Sequence, residues 1–139
     1  MTHSDLGHCR SLLSQLGYEM STAEIQRRFD EVDEAPEHFA LVAETAGRVV
    51  GLMHVFARPA FENPREAVVQ AIVVDAAFRR FGVGRELMAA AENWGRGRGC
   101  RSVVLSSNTA RAPAHAFYAA LGYRVSATSL VLRKGLAQR

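Results

Sequence analysis

The spacing of apolar positions is helical at the start of the chain. From Ser4 to Leu16 the apolar residues recur every three or four positions, and Gly17 follows them, which predicts a first helix. Ser21 and Glu24 then have the spacing of a capping box, in which each side chain bonds the other residue's backbone N–H. The sequence therefore predicts two helices before any strand.

Strand-like patterns begin at His38. Apolar and β-branched residues fill 38–45 and 48–58, and the intervening Ala46-Gly47 predicts a tight hairpin. After a proline-containing loop, a third strand is predicted over 67–75. Three consecutive strands at hairpin distance favour antiparallel pairing.

A helical period returns over 83–94 and again over 113–121, on either side of a short predicted strand at 102–107. Residues 123–132 predict one or two terminal strands. The strand–helix–strand passage favours a parallel crossover. The predicted fold class is therefore α/β, with a mixed sheet flanked by helices, in a single domain over residues 1–139.

Composition excludes several classes of protein. No stretch approaches the eighteen or so apolar residues of a membrane span, and the first residues lack the basic and apolar regions of a signal peptide. Cys9 and Cys100 are too few for a disulfide framework, and the five histidines show no metal-site spacing. We expect a cytoplasmic protein without a metal.

Charge is distributed unevenly. Residues 1–40 carry a net charge of −5, residues 41–78 carry −1 and residues 79–139 carry +9. This asymmetry predicts an anionic partner for the second half, either a nucleic acid, a membrane surface or a phosphorylated small molecule. The arginines are not interleaved with aromatic residues, which disfavours nucleic acid.

One segment combines several of the features that bind phosphate. The strand predicted to end at Asp75 is followed by a turn with Arg79, Arg80, Gly82 and Gly84, and then by a helix. Backbone N–H groups at a helix N-terminus attract anions, and glycines let a phosphate approach the backbone. The alternative is a tight turn without a ligand. Neither a Walker loop nor a dinucleotide fingerprint is present.

This segment, V-D-A-A-F-R-R-F-G-V-G, resembles motif A of the GNAT superfamily of acyl-CoA N-acyltransferases, whose signature is [R/Q]-x-x-G-x-[G/A]. Arg79, Gly82 and Gly84 fill the three specified positions. The later string S-N-T-A-R-A-P-A-H-A-F-Y-A-A-L-G-Y resembles motif B of the same family. The resemblance covers about residues 38–133.

The resemblance implies a fold and a co-substrate. Two neighbouring strands would splay apart, and the pantetheine arm of acetyl-CoA would lie in the gap against the backbone of Ile72, Val73 and Val74. The pyrophosphate would lie at the turn, and Asn108 would contact the pantetheine side. The residues implied at the turn are Arg79, Arg80, Phe81, Gly82, Val83, Gly84 and Arg85.

The reaction implied by the resemblance is direct attack of an amine on acetyl-CoA within a ternary complex. A backbone N–H near Val73 or Val74 would stabilise the oxyanion. Tyr118 would protonate the leaving thiolate, since a phenol has a reference pKa near 10. The structural alternative for Tyr118 is an aromatic packed against its helix.

The general base is not identified by the sequence. Many family members have a Glu where this chain has Gln70, which cannot accept the proton. The candidates are therefore a water relay or one of the side chains of Glu19, Glu62, Glu66 and His54. Through the family's acceptor wall, the resemblance also assigns substrate binding to Tyr18 and Glu19 in the acidic first half.

The chain departs from the family pattern at its start, since no strand precedes the first helix. The strand from His38 then becomes a sheet edge with unpaired backbone groups, which favours pairing with a second copy. We therefore expect a homodimer. An alternative function, favoured by Gln70 and by this missing strand, is an acyl-CoA-binding regulatory module without catalytic activity.

Overall fold

The computed structural model describes residues 3–107 and 112–137. Its elements in chain order are helices α1 (His3–Leu16) and α2 (Thr22–Glu34), strands β1 (His38–Thr45), β2 (Arg48–Arg58) and β3 (Glu66–Val74), a 3₁₀ turn (Ala76–Phe78), helix α3 (Val83–Gly97), strand β4 (Ser102–Leu105) and helix α4 (Ala112–Ala120). The chain divides into two compact units, Met1–Ser106 and Ser107–Arg139.

The start of α2 follows directly from its local sequence. The Ser21 hydroxyl accepts a hydrogen bond from the backbone N–H of Glu24 at 3.2 Å. The Glu24 carboxylate in turn pairs with Arg28 one turn later, at 2.9 Å. The predicted N-cap is therefore confirmed, with the Glu24 carboxylate turned toward arginines of its own helix.

The first unit contains a four-stranded sheet in the order β1-β2-β3-β4. Strands β1, β2 and β3 pair antiparallel, whereas β3 and β4 pair parallel. The predicted α/β class and the mixed sheet are thus confirmed. β1 is an outer strand of the sheet, as its position after two helices suggested.

Helices cover both faces of the sheet. On one face, α1 and α2 pack their apolar residues against Leu52 and Val73. On the other face, α3 approaches the sheet so closely that a Cβ placed on Gly95 would lie 3.0 Å from the Cβ of Ala67. Trp94 of α3 also stacks on Phe39 of β1, with ring centroids 5.9 Å apart.

The structure corrects two element predictions. Helix α3 continues through Gly95 to Gly97, because the missing side chain at Gly95 permits close packing instead of ending the helix. Residues 123–132, predicted to form one or two strands, form neither helix nor strand. A strand requires a neighbour for its backbone groups, and this segment has no ladder partner among the described residues.

Candidate active site

β3 continues beyond the end of its pairing with β4. The parallel ladder joins Glu66–Val69 to Ser102–Leu105, whereas β3 runs on to Val74. On its other edge, β3 stays paired with β2 as far as Val74. Within the described residues, the edge of β3 over 70–74 on the β4 side therefore has no strand partner, and its backbone groups, apart from the Val74 carbonyl that Arg79 bonds, are open to a ligand.

A β-bulge marks the point at which the two strands part. Val69 pairs with Val55 and Ala71 pairs with His54, so Gln70 between them has no partner on β2. Bulges bend the strand that contains them, increase its twist and are frequent beside active sites. The bulge at Gln70 thus coincides with the end of the β3–β4 ladder.

The turn after β3 leads into α3 with an unusual backbone. Arg80 has φ 74° and Gly82 has φ 82°, both in the left-handed region. No side chain caps α3, and the first N–H to find a partner within the helix is that of Glu86, on the carbonyl of Gly82. The N–H groups of Val83–Arg85 precede this bond, which is the arrangement that binds anions at a helix N-terminus.

Asp75 anchors this turn and was not identified from the sequence. Its carboxylate accepts hydrogen bonds from the backbone N–H of Ala77 and from Arg48, both at 3.0 Å. These two donors, the first above all, hold the pKa of Asp75 below its usual range despite burial. An Asp directly after a strand, two residues before a free N–H, is a local signal that could have revealed the Ala77 bond.

Tyr118 lies on α4, in the second unit. Its ring makes edge contacts with Phe117 and Tyr123, at centroid distances of 5.1 and 6.2 Å. Within this unit Tyr118 therefore packs among aromatic rings. Asn108, the other residue that motif B implied, lies outside the described residues.

A cavity of about 350 Å³ lies between the sheet and the two N-terminal helices. Eight of its eleven lining residues are apolar, and the remaining three are Arg28, Glu31 and His54. Its volume falls within the range of small-molecule sites, roughly 300–1,000 Å³. Ala71 of β3 lines the cavity next to the open strand edge, so the cavity adjoins the site at 70–74.

His54 belongs to a pair of histidines. Its Nε2 lies 2.9 Å from Nδ1 of His38 on β1, which is hydrogen-bond distance. Burial, and secondly the neighbouring His38, lower the pKa of His54 from its usual value. The pair was not foreseen, although the hairpin turn at Ala46-Gly47 sets a register that places the two residues diagonally across β1 and β2.

The other candidate bases have different surroundings. Glu66 pairs with Arg58 at 3.3 Å and accepts from Ser102, which holds it at the start of β3. Glu62 is exposed in the loop before β3. Glu19 accepts a hydrogen bond from Ser14 at 2.5 Å. None of these three carboxylates lines the cavity.

The two predicted substrate residues lie at the surface of the loop between α1 and α2. Tyr18 is 58% exposed, and Glu19 is also exposed. Met20, the next residue of the same loop, does line the cavity. The loop thus borders the cavity through Met20, whereas Tyr18 and Glu19 lie outside its lining.

The chain is similar to known proteins over most of its length. The sequence model described as Acetyltransferase (GNAT) family matches residues 8–123. The chain belongs to this family. Glucosamine 6-phosphate N-acetyltransferase of Trypanosoma brucei brucei is 30% identical over 122 residues, covering 86% of this chain and 78% of that protein.

Other known proteins match over nearly the whole chain. Aminoglycoside N(6')-acetyltransferase type 1 of Salmonella typhimurium is 24% identical over 138 residues, covering 96% of this chain and 95% of that protein. The solved structure of AAC(6')-Iy with a bisubstrate analogue has a TM-score of 0.83 at 24% identity, covering 98% of this chain and 95% of that chain. The structure of a transcriptional regulator from Bacillus halodurans has a TM-score of 0.85 at 22% identity, covering 96% of each chain. These likenesses support the GNAT fold.

Two kinds of feature are absent from the described ranges of this GNAT-family chain, 3–107 and 112–137. No group of three His, Cys, Asp or Glu side chains there has the arrangement of a metal site. No helix in those ranges is long and apolar enough to cross a membrane. The thiols of Cys9 and Cys100 are free, and burial raises the pKa of Cys9 to about 11.

Proposed function

We propose that the protein is an N-acetyltransferase that moves an acetyl group from acetyl-CoA to a primary amine. The observation that carries this proposal is the open edge of β3 over 70–74, followed directly by the left-handed turn and the uncapped start of α3. An extended amide-containing arm and a pyrophosphate require these two features next to each other. The relatives are named as N-acetyltransferases, and these names support the same reaction.

We assign acetyl-CoA binding to three parts of this region. The backbone of Ile72, Val73 and Val74 bonds the pantetheine amides in the manner of an added strand. The pyrophosphate lies against the N–H groups of 81–85, with charge-assisted bonds from Arg79, Arg80 and Arg85. Asn108 contacts the pantetheine side. The Nε–H of Arg79 donates to the carbonyl of Val74 at 3.4 Å, which keeps its guanidinium beside the end of β3.

The proposed reaction is a direct attack in a ternary complex. The amine nitrogen attacks the thioester carbon, and a backbone N–H near Val73 or Val74 stabilises the developing oxyanion. The carbon–sulfur bond then breaks, and the Tyr118 phenol protonates the departing thiolate. The amine is held between the open edge of β3 and the cavity. Tyr18 and Glu19 of the loop between α1 and α2 attract a cationic acceptor to this place.

A pair of substitutions tests both halves of this function. We expect Gly82→Glu to abolish acetyl-CoA binding, because it adds a Cβ at φ 82° and a negative charge beside the pyrophosphate. Tyr118→Phe should keep binding and lower kcat about 10²–10⁴-fold, the usual contribution of an acid catalyst. Calorimetry with acetyl-CoA and thiol release across a panel of amines measure the two effects.

Gly99→Glu is the matched control, since Gly99 also has a positive φ, of 75°, and its Cβ would meet nothing within 4 Å. It should bind acetyl-CoA like the wild type. Wild-type protein that binds acetyl-CoA without turnover on any amine would instead support a regulatory acyl-CoA-binding module. Absence of binding would refute both functions.

We further propose that the protein acts in the cytoplasm as a homodimer. Free thiols at Cys9 and Cys100 are consistent with a reducing compartment. Two features support a second copy as partner: β1 is an outer strand, and residues 123–137 leave several large apolar side chains exposed without a strand partner among the described residues. Such patches are typical of protein–protein contacts.

A further inference from the structure

The floor of the cavity is a single row of residues across three strands. His54 of β2 pairs with Ala40 of β1 on one side and with Ala71 of β3 on the other. All three residues line the cavity. Because both neighbours of His54 in the row end in a methyl group, the imidazole is the one functional group that this row presents.

The cavity has an apolar wall on α2, although Arg28 and Glu31 of the same helix also line the cavity. Ile25, Phe29 and Val32 recur at helical spacing on α2 and line the cavity. A hydrocarbon group placed against this wall would lose contact with water at a favourable free energy. A polyhydroxylated ring placed against these three side chains would lose hydrogen bonds to water, which is costly.

His38 fixes the orientation of His54. The His38 ring stacks on Phe56, with ring centroids 5.0 Å apart and an interplanar angle of 13°. Its Nδ1 engages Nε2 of His54 at 2.9 Å. If Nε2–H of His54 donates in this bond, Nδ1 of His54 retains its lone pair, and a positive charge on His54 is shared with His38.

We propose that His54 is the general base of the acetyl transfer and that the acceptor is a primary amine on an apolar alkyl or aryl group. This inference rests on the proposed function, since it assigns the proton step and the acceptor class of the same site. His38 is a positioning residue, which acts on the acceptor through His54.

The proton balance of the step is simple. Nδ1 of neutral His54 takes a proton from the acceptor's ammonium group, leaving a free amine and an imidazolium. The amine lone pair forms the new carbon–nitrogen bond, and the carbon–sulfur electron pair leaves with sulfur. The Tyr118 phenol protonates the thiolate and regains the second nitrogen proton, so the products are the amide and the free thiol of CoA, and His54 returns its proton to solvent.

The charges around His54 are compatible with this role. The titratable groups that face it are His38 from β1 and Arg28 and Glu31 from α2, whereas α1 and β3 contribute Leu13 and Ala71 to the lining. Burial lowers the pKa of His54, with His38 as the second cause, which favours the neutral form of the ring. Arg28 is paired with Glu24 at 2.9 Å. Glu31 is the carboxylate among the lining residues of the cavity.

The decisive experiment compares two acceptors in wild type and His54→Gln. Phenethylamine is protonated at pH 7 and needs a base, whereas trifluoroethylamine is largely neutral at that pH. We expect His54→Gln to lower kcat/KM for phenethylamine about 10²–10⁴-fold and to change it less than tenfold for trifluoroethylamine. The acid limb of the pH profile with phenethylamine should disappear as well. His38→Asn should shift that limb without removing it.

The control variant is His8→Asn, because His8 accepts from the backbone N–H of Val49 at 3.2 Å and lies outside the cavity lining. Its pH profile should match the wild type. Calorimetry with acetyl-CoA should give the same affinity for His54→Gln, which shows that the variant is folded.

The outcomes separate this inference from the proposed function. Wild-type transfer to amines with an unchanged pH profile in His54→Gln would overturn the base assignment alone. A higher wild-type kcat/KM for an aminoglycoside or glucosamine 6-phosphate than for phenethylamine would overturn the acceptor class. Failure of the wild type on every amine would overturn the proposed function itself.

Discussion

Asp75 joins three parts of the chain at the carboxyl end of β3. Its side chain bonds Arg48 from the start of β2 and the N–H of Ala77 in the following turn, while the N–H of Ala76 donates to Gln15 of α1. The guanidinium of Arg48 also lies 5.9 Å from the centroid of the Phe78 ring. One carboxylate thus fixes the direction in which the chain leaves the strand.

We expect Asp75→Asn to lower the free energy of unfolding by about 1–3 kcal/mol at pH 7, since it weakens a charged hydrogen bond at a buried position. The pKa of Asp75 is lowered in the folded protein, so its stabilisation is present above the unfolded value, 3.8, and is lost as pH falls through the folded value. Urea unfolding measures this dependence when it is repeated between pH 2.5 and pH 7 in steps of roughly half a pH unit.

Asp33→Asn, on the exposed side of α2, is the control and should change stability by less than about 0.5 kcal/mol. The difference in stability between wild type and Asp75→Asn should shrink toward acidic pH. A difference that stays constant with pH would show that the carboxylate charge does not contribute.

At this scale, sequence reasoning succeeded where partners are close in the chain. The capping of α2 by Ser21 depends on residues three positions apart, so local pattern sufficed. The pairs His38–His54 and Arg48–Asp75 join residues 16 and 27 positions apart. Only the strand register and the packing of the sheet bring such residues together, which explains why neither pair was predicted.

Two glycines in the last turn of α3, Gly95 and Gly97, have opposite surroundings, and these test how the helix packs on the sheet. A Cβ on Gly95 would lie 3.0 Å from the Cβ of Ala67, whereas a Cβ on Gly97 would meet nothing within 4 Å. Alanine gains about 0.5–1 kcal/mol over glycine within a helix. At Gly95, overpacking costs about 1–3 kcal/mol and outweighs that gain.

We therefore expect Gly95→Ala to lower the free energy of unfolding and Gly97→Ala to raise it or leave it unchanged. Thermal or urea unfolding of the two variants side by side measures the contrast. Equal stabilisation of both would mean that α3 does not approach β3 as closely as the structure indicates.

Most elements were predictable from periodicity, because each apolar stripe or alternation reports the face that its element buries. The splaying of β3 from β4 was expected from a family resemblance and not from the pattern of residues, since no local signal marks where a ladder ends. Residues 123–132 illustrate the limit of pattern reasoning. Their alternation is typical of a strand, but a strand forms only where a neighbour accepts its hydrogen bonds.

The molecule as a whole exposes an apolar segment near its C-terminal end. Five large side chains within 125–136 are each at least 80% exposed, namely Val125, Leu130, Val131, Leu132 and Leu136. We expect this segment to be covered by a second copy, so that wild-type protein is dimeric at micromolar concentration. Leu130→Asp with Leu132→Asp should give a monomer, as measured by light scattering on a sizing column.

Ser126→Asp introduces one such negative charge at an exposed polar position of that segment and should leave the dimer intact. A monomeric wild type would contradict the proposed assembly. The double variant should keep its helical circular dichroism, since none of these side chains belongs to the buried core of the first unit.

The uneven charge was readable from the sequence, but its meaning depended on the fold. Three of the arginines in the positive part of the chain, Arg79, Arg80 and Arg85, flank the turn at the start of α3. The negative first part forms α1 and α2, whose residues wall the cavity. Net charge alone did not distinguish a phosphate site from a nucleic-acid surface.

Under the proposed function, the incomplete ladder between β3 and β4 would tie the lifetime of the protein to the supply of acetyl-CoA. A ligand that bonds the open edge at 70–74 binds only the folded chain, so it stabilises folding by about 2.7 kcal/mol when its concentration is a hundred times Kd. That amount is a large part of the 5–15 kcal/mol typical of a domain. In a cell short of acetyl-CoA, more of the enzyme would unfold and be degraded, and its abundance would follow the acetyl-CoA pool.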